Sequence, residues 1–286
     1  MTTDVESGLL VLVATPIGNL GDLSPRAVDV LRTADVIAAE DTRRTRALLT
    51  HAGLSAGRRL RAVHGHNERS QTAKIVEEVR SGARVAYVTD AGMPGVSDPG
   101  ERLVRACVDA GLAVEVVPGP SAVLTALVLS GFPTERFVFE GFLPTRGRDR
   151  ENRLAAIKRE ERTIVLFEAP HRLLRTLGDL AEVCGEHRRA AVARELTKLH
   201  EEVWRGTLHD AVEHFGRTGP RGEIVVVVEP GDEGAAEPTD DELACEALAL
   251  VRAGMSTREA ADRLAARFRV SRRRAYDAVI TQRSTR

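Results

Sequence analysis

Between residues 8 and 131, short apolar runs alternate with stretches whose apolar positions recur at helical spacing. LLVLVATP, DVIAAED, RLRAVHGH, RVAYVTDAG and AVEVVPGP are short and rich in β-branched residues, which predicts strands. SPRAVDVLRTA, SQTAKIVEEVRSG and PGERLVRACVDAG keep the helical period and predict helices between them. Strand-helix alternation at this pitch implies a largely parallel, three-layer α/β sheet, and ligands of such sheets sit beyond the carboxyl ends of the strands. TPIGN, AEDTR, HGHNE, TDAGMPG and PGPSA all fall at that rim, whereas the helix-to-strand returns TAD, SGA and AGL are short and plain. The polar residues therefore concentrate on one edge.

A second α/β block follows. Its strands are predicted from RFVFEGFLP, RTIVLFEAPHR, AAVARELTK, EEVWRGT and GEIVVVVEPG, and its helices from RENRLAAIKREE and HRLLRTLGDLAEVCG. GDEGAAEPTDD is acidic and without periodicity, as a linker is. Beyond it DDELACEALALVRAGM, STREAADRLAARF and SRRRAYDAVITQR predict three helices, with Ser256 and Ser271 at N-cap positions and Glu259 completing a capping box only at the first. The expected units are an N-terminal α/β domain over 8–132, a C-terminal α/β domain over 133–231 and a basic helical tail over 239–286. From Arg252 onward the tail holds ten arginines and three acids, and its short helices resemble a helix-turn-helix.

Composition narrows the class. The 286 residues are 43% hydrophobic, enough to fill real cores, and no apolar run approaches the roughly 20 residues that span a bilayer. The N-terminus MTTDVESG is acidic where a signal peptide is basic, so a cytoplasmic location is expected. Cys107, Cys184 and Cys245 lie far apart with no metal-ligand spacing, and are expected as buried apolar fillers with neither disulfide nor zinc site. Only three lysines, Lys74, Lys158 and Lys198, stand against 38 arginines, a skew most simply attributed to a GC-rich genome.

TDAGMPGVSDPG, residues 89–100, is the densest loop. Pro94 and Pro99 fix φ, while Gly92, Gly95 and Gly100 let the main chain approach a ligand closely. No GxxxxGK[ST] occurs, and TPIGNLGD lacks the GxGxxG fingerprint, so neither a P-loop nor a Rossmann phosphate site is indicated. LVATPIGNLGDLSPRAVDVL, VIAAEDTRRT, HNERS, VTDAGMPGVSDPG, VVPGPSAVLTAL, GFLP, EAPHR and ARELTK, in this order over about residues 9–231, closely resemble the tetrapyrrole-methylase superfamily, and within it the branch acting on small-subunit ribosomal RNA. Two positions depart from that pattern: Met93 stands where threonine is commoner, and Arg44 where histidine is frequent.

The resemblance implies two α/β domains, a cleft for S-adenosylmethionine between them and a homodimer. It also implies methylation of the ribose 2′-hydroxyl of a cytidine in the decoding region of 16S ribosomal RNA, naked or assembled in the 30S subunit. The same body would suit a tetrapyrrole methyltransferase, and with the tail a SAM-sensing nucleic-acid-binding regulator. The resemblance places the cofactor against Pro16 and Gly18, the segment Asp90, Ala91, Gly92, Met93, Val96, Ser97 and Asp98, the turn Pro118, Gly119, Ser121 and Ala122, and Glu168 and Leu196.

A ribose hydroxyl is a weak acid, so a nearby proton acceptor should help methyl transfer, although positioning is the larger task. Glu40, Asp41, His66 and Lys198 are the candidate catalytic residues, with Glu68, Glu168, His171 and Glu195 as further acceptors. Glu40 and Asp41 end an apolar strand, so only one of them can point into a cleft; the alternative for either is an N-cap or an ion pair with Arg43. RNA phosphates are expected at TRRTR (Arg43, Arg44, Arg46), TRGRDRENR (Arg146, Arg148) and SRRR (Arg272, Arg273), because guanidinium groups bind phosphate oxygens bidentately.

Overall fold

Five parallel strands build the first sheet of the computed structural model, which describes residues 8–65, 67–231, 239–268 and 270–284. They are β1 (Leu9–Val13), β2 (Val36–Ala39), β3 (Leu60–Ala62), β4 (Arg84–Val88) and β5 (Ala113–Val117), in the order β3-β2-β4-β1-β5. Each lies inside one predicted strand segment. The inner strands β1, β2 and β4 are almost wholly apolar because both faces are covered, whereas the edge strands β3 and β5 carry Arg61 and an exposed Glu115. Val11 and Val13 pack with α1 (Pro25–Thr33) and α2 (Thr42–His51), while Leu10 and Leu12 face α3 (Glu68–Arg80) and α4 (Glu101–Asp109). Helix α2 is not among the predicted helices. It opens on the basic run TRRTR and buries only Thr45, Leu48 and Leu49, so its apolar stripe is short.

The second sheet is mixed. Its strands β6 (Phe137–Phe142), β7 (Thr163–Glu168), β8 (Arg189–Arg194), β9 (Glu202–Thr207) and β10 (Ile224–Val228) lie in the order β6-β7-β10-β8-β9. Only β6 and β7 pair in parallel; β10 runs antiparallel to both β7 and β8. Helices α6 (Arg148–Lys158), α7 (Leu173–Cys184) and α8 (Leu208–Thr218) fill one face through Ile157, Leu177 and Phe215. The other face takes α5 (Ala122–Ser130), whose Val123, Ala126 and Leu127 pack on Val165, Ala191, Ala193, Val225 and Val227. A division at 132/133 would leave α5 with the first sheet, but its packing puts it on the second. The helix AVLTALVLS is apolar on every side, so its sequence does not say which sheet it covers.

The tail is a bundle of α9 (Asp240–Arg252), α10 (Thr257–Phe268) and α11 (Arg272–Ser284) around its own core of Leu243, Ala247, Leu264 and Val279. Ser256 and Glu259 make the expected reciprocal capping box, and the Arg274 amide donates to Oγ of Ser271 at 3.2 Å. Residues 232–238 of the expected linker lie outside the described residues. The cysteines correct the expectation in part: Cys107 is buried, Cys184 half-buried and Cys245 exposed. The buried stripe of α9 runs through Leu243, Ala247, Leu250 and Val251, and Cys245 falls off it. No helix among the described residues is long and apolar enough to cross a membrane.

Candidate active site

A cavity of about 430 Å³ lies at the carboxyl rim of the first sheet, with the second sheet closing over it. The first sheet contributes Ile17 after β1, Glu40 after β2 and the loop after β4; Ser121, Ala122 and Val123 come from the start of α5. The loops after β1 and β4 are tied together. The Thr15 amide donates to the Gly92 carbonyl at 2.9 Å, the Gly92 amide returns a bond at 3.0 Å, and Oγ1 of Thr15 donates to the Thr89 carbonyl. Gly92 has φ +75°, a backbone conformation that residues with a Cβ rarely adopt, and Ile17 lies within contact distance of it, so glycine suits this part of the wall.

Ser97, in the same wall, is held at φ +62°. Only two other described non-glycine residues have positive φ, Glu195 and Thr197, and both lie in the ARELTK loop after β8. Left-handed backbone at non-glycine residues costs on the order of 1–3 kcal/mol and tends to collect where a site must be held rigid.

The cavity is acidic. Glu40, Asp90, Asp98, Glu168 and Glu223 line it against a single guanidinium, Arg44, which pairs with Asp90 at 3.5 Å. Burial raises the pKa of Glu40, with the charge of Asp90 acting the same way against the hydrogen bond from the Asp90 amide. Burial, followed by the charges of Glu40 and Asp90, pushes Asp98 up to about 6. Asp90 also accepts a hydrogen bond from the Asp41 amide at 3.0 Å.

Glu40 and Asp41 follow the end of β2, and of the two only Glu40 lines the cavity. Asp41 instead caps α2: its Oδ1 accepts from the Arg43 amide at 2.7 Å and its Oδ2 from the Arg43 guanidinium at 2.9 Å. The hydrogen bond from the Arg43 side chain is the main cause of a pKa lowered to about 2. The alternative role, N-cap and ion pair together, is the one Asp41 fills. His66 lies outside the described residues.

The second sheet reaches the cavity because β10 is antiparallel. Ile224 at its start pairs with Glu168 at the end of β7 and with Arg194 at the end of β8, so the residues entering β10 share an edge with those leaving β7 and β8. Gly222, Glu223 and Ile224 therefore join Phe142, Phe167, Glu168, Ala169 and Pro170 in the wall. Glu168 is buried and fully engaged: it accepts from Oγ1 of Thr176 at 2.5 Å and from the Ala169 amide at 2.8 Å, and pairs with Arg172 at 3.3 Å. Its carboxylate shapes the wall and is not a free base. Phe142 and Pro170 lie inside GFLP and EAPHR, whose resemblance to the superfamily was their only signal; Glu223 carried none.

Lys198 stands beside the cavity, not in it. Its ammonium binds Glu195 at 2.9 Å and Glu223 at 3.1 Å. Burial alone would disfavour its charge, but the two carboxylates outweigh that and raise its pKa, so it is an ion-pair partner and no proton acceptor. Its stem packs on Gly18, where any Cβ would collide with Cγ of Lys198, and the Asn19 amide donates to Oγ1 of Thr197 at 3.0 Å. The strained ARELTK loop thus clamps TPIGN to the second sheet. Pro16, Gly18, Pro118, Gly119 and Leu196 do not line the cavity; the other predicted cofactor residues, including Ala91, Met93 and Val96, do.

The basic runs separate by role. Arg43, Arg44, Arg46, Arg146, Arg148, Arg272 and Arg273 are exposed. Arg150, inside TRGRDRENR, is only 3% exposed and structural, bonded to Asp179, Thr176 and the Pro144 carbonyl.

The sequence profile of the tetrapyrrole (corrin/porphyrin) methylases matches residues 9–212. The chain is 46% identical to a Synechocystis protein named ribosomal RNA small subunit methyltransferase I, over 94% of this chain and 96% of the relative. A Mycobacterium tuberculosis protein of the same name is 45% identical over 98% of this chain and 97% of the relative. Among solved structures, uroporphyrin-III C-methyltransferase from Thermus thermophilus, complexed with S-adenyl homocysteine, superimposes with a TM-score of 0.56 at 21% identity, covering 78% of this chain and 97% of that one.

Proposed function

The chain belongs to the tetrapyrrole methylase family, in the group of ribosomal RNA small subunit methyltransferase I, and from that premise we propose that it methylates small-subunit ribosomal RNA with S-adenosylmethionine. The finer reading is transfer to the ribose 2′-hydroxyl of a cytidine in the decoding region, in the cytoplasm. The acid-lined cavity between the sheets is the observation that carries the cofactor reading. Its volume is in the range of small-molecule sites, and its five acidic residues against one arginine suit a ligand bearing a sulfonium and an ammonium. The bound cofactor supplies an activated methyl group. The protein's residues orient and exclude water: the Thr15–Gly92 bridge and the left-handed Ser97 fix the floor, while Phe142 and Phe167 supply apolar cover. Glu40, its pKa raised, is the acceptor best placed for a hydroxyl proton, which revises the set Glu40, Asp41, His66 and Lys198 in its favour.

A homodimer fits the exterior of α5. Leu124 is 52% exposed and Val128 70%, one turn apart on a helix that is apolar all round, and a second copy would cover them. Val128→Glu should yield a monomer in sedimentation. The deciding experiment for function incubates the purified protein with radiolabelled S-adenosylmethionine and small subunits from a strain lacking the enzyme, then maps the label. One labelled 2′-O-methylcytidine is expected. Absence of label on RNA, or label on a tetrapyrrole precursor supplied in a parallel incubation, would defeat the proposal.

A further inference from the structure

The tail carries a groove of about 570 Å³ between the first turns of α10 and α11, lined by Thr257, Arg258, Ala261, Arg272, Arg273 and Tyr276. Three features set it apart from an ordinary solvated helix face. First, it holds one of the two tyrosines of a chain with only 3% aromatic residues, and this residue, Tyr276, is 44% exposed. The other, Tyr87, is fully buried in the first domain.

Second, the ring continues an apolar stripe into solvent. Ile280, one turn beyond Tyr276 on the same face of α11, is 41% exposed, while the adjoining stripe of Ala275 and Val279 is already buried in the bundle core. Third, guanidinium groups frame the ring. Arg272 is held by Asp262 at 2.7 Å, whereas among the described residues neither Arg258 nor Arg273 has an ion-pair partner.

An exposed ring flanked by unpaired guanidiniums matches the chemistry of single-stranded nucleic acid: a base offers a π-face to the ring, and its phosphates take the charges. A duplex hides its base faces and would use the arginines alone. Resting on the RNA-methylation reading above, we infer that this groove is a single-stranded RNA subsite, in which one unpaired base stacks on Tyr276 while Arg258 and Arg273 hold the adjoining phosphates.

The test uses the full-length protein and a fluorescent single-stranded RNA of about ten nucleotides, within the range of known single-strand sites, titrated by anisotropy at several salt concentrations. Tyr276→Ala should weaken binding by about tenfold with an unchanged salt slope, and Tyr276→Phe should restore it. Arg258→Ala and Arg273→Ala should each lower the slope by roughly 0.7. A labelled duplex DNA should be indifferent to Tyr276→Ala. Unchanged single-strand affinity in Tyr276→Ala, or a preference for the duplex, would overturn the inference while leaving methyl transfer to small subunits intact. Absence of methyl transfer by the unaltered protein would instead overturn the reading on which it rests.

Discussion

The cleft of the body and the groove of the tail are built by opposite means. The cleft is acidic, and its shape is set by backbone: a Thr15–Gly92 bridge, a glycine at φ +75° and a serine at φ +62°. The groove is basic, and its shape is set by side chains on regular helices, Arg258 on α10 and Arg273 and Tyr276 on α11. A small cationic ligand must be approached closely from several sides, which favours rigid main chain and tolerates strain. A long polyanion needs charges spread along an open surface, which a helix face provides at little conformational cost. The proposed labour divides accordingly, chemistry in the body and grip in the tail.

The largest effect is expected from Gly92→Val. A branched side chain at φ +75° against Ile17 should abolish detectable S-adenosylmethionine binding in calorimetry while RNA binding persists. Loss of both together would mean that the two regions are not independent. Next in size is deletion of the tail from residue 239. RNA affinity should fall, and the log–log salt slope should flatten by about 0.7 to 0.9 for each lost phosphate contact, with cofactor affinity unchanged. If the truncated protein bound RNA normally and lost the cofactor, the tail would belong to the cleft.

Asp98 gives a smaller and pH-dependent effect. Its folded pKa, about 6, lies above the ordinary value of 3.8, so its contribution to stability is full below about pH 4 and is lost as pH rises through 6. Asp98→Asn removes that loss. The variant should melt higher than the parent above pH 6, and the difference should shrink as pH falls toward 4. A cationic ligand favours the carboxylate, so parental cofactor affinity should rise through the same window and the variant's should not. A pH-independent melting difference would show that Asp98 is not held protonated by its burial and the charges of Glu40 and Asp90. The smallest effect is expected from Thr197→Gly, which relieves φ +64° at the cost of one hydrogen bond from Asn19. Stability should change by no more than about 1 kcal/mol, with a measurable loss of cofactor affinity as the clamp on TPIGN loosens.

Much of the body was legible in the sequence. In a parallel sheet every strand points the same way, so whatever strand order the chain adopts, the segments following β1, β2, β4 and β5 meet on one edge. Their polar residues could be grouped without knowing the order β3-β2-β4-β1-β5. The tail helices and their caps at Ser256 and Ser271 were equally local, fixed by residues three apart. The second half of the cleft was not. Glu223 reaches the cavity from the start of a strand because β10 runs antiparallel to β7, a pairing between residues more than fifty positions apart that leaves no periodic trace. The transfer of α5 to the second sheet and the capture of Lys198 by Glu223 were likewise decided by tertiary contact. Local sequence sets the direction of a strand's side chains and the ends of its helices. Which distant chain lies opposite them is settled only by the packing that buries both.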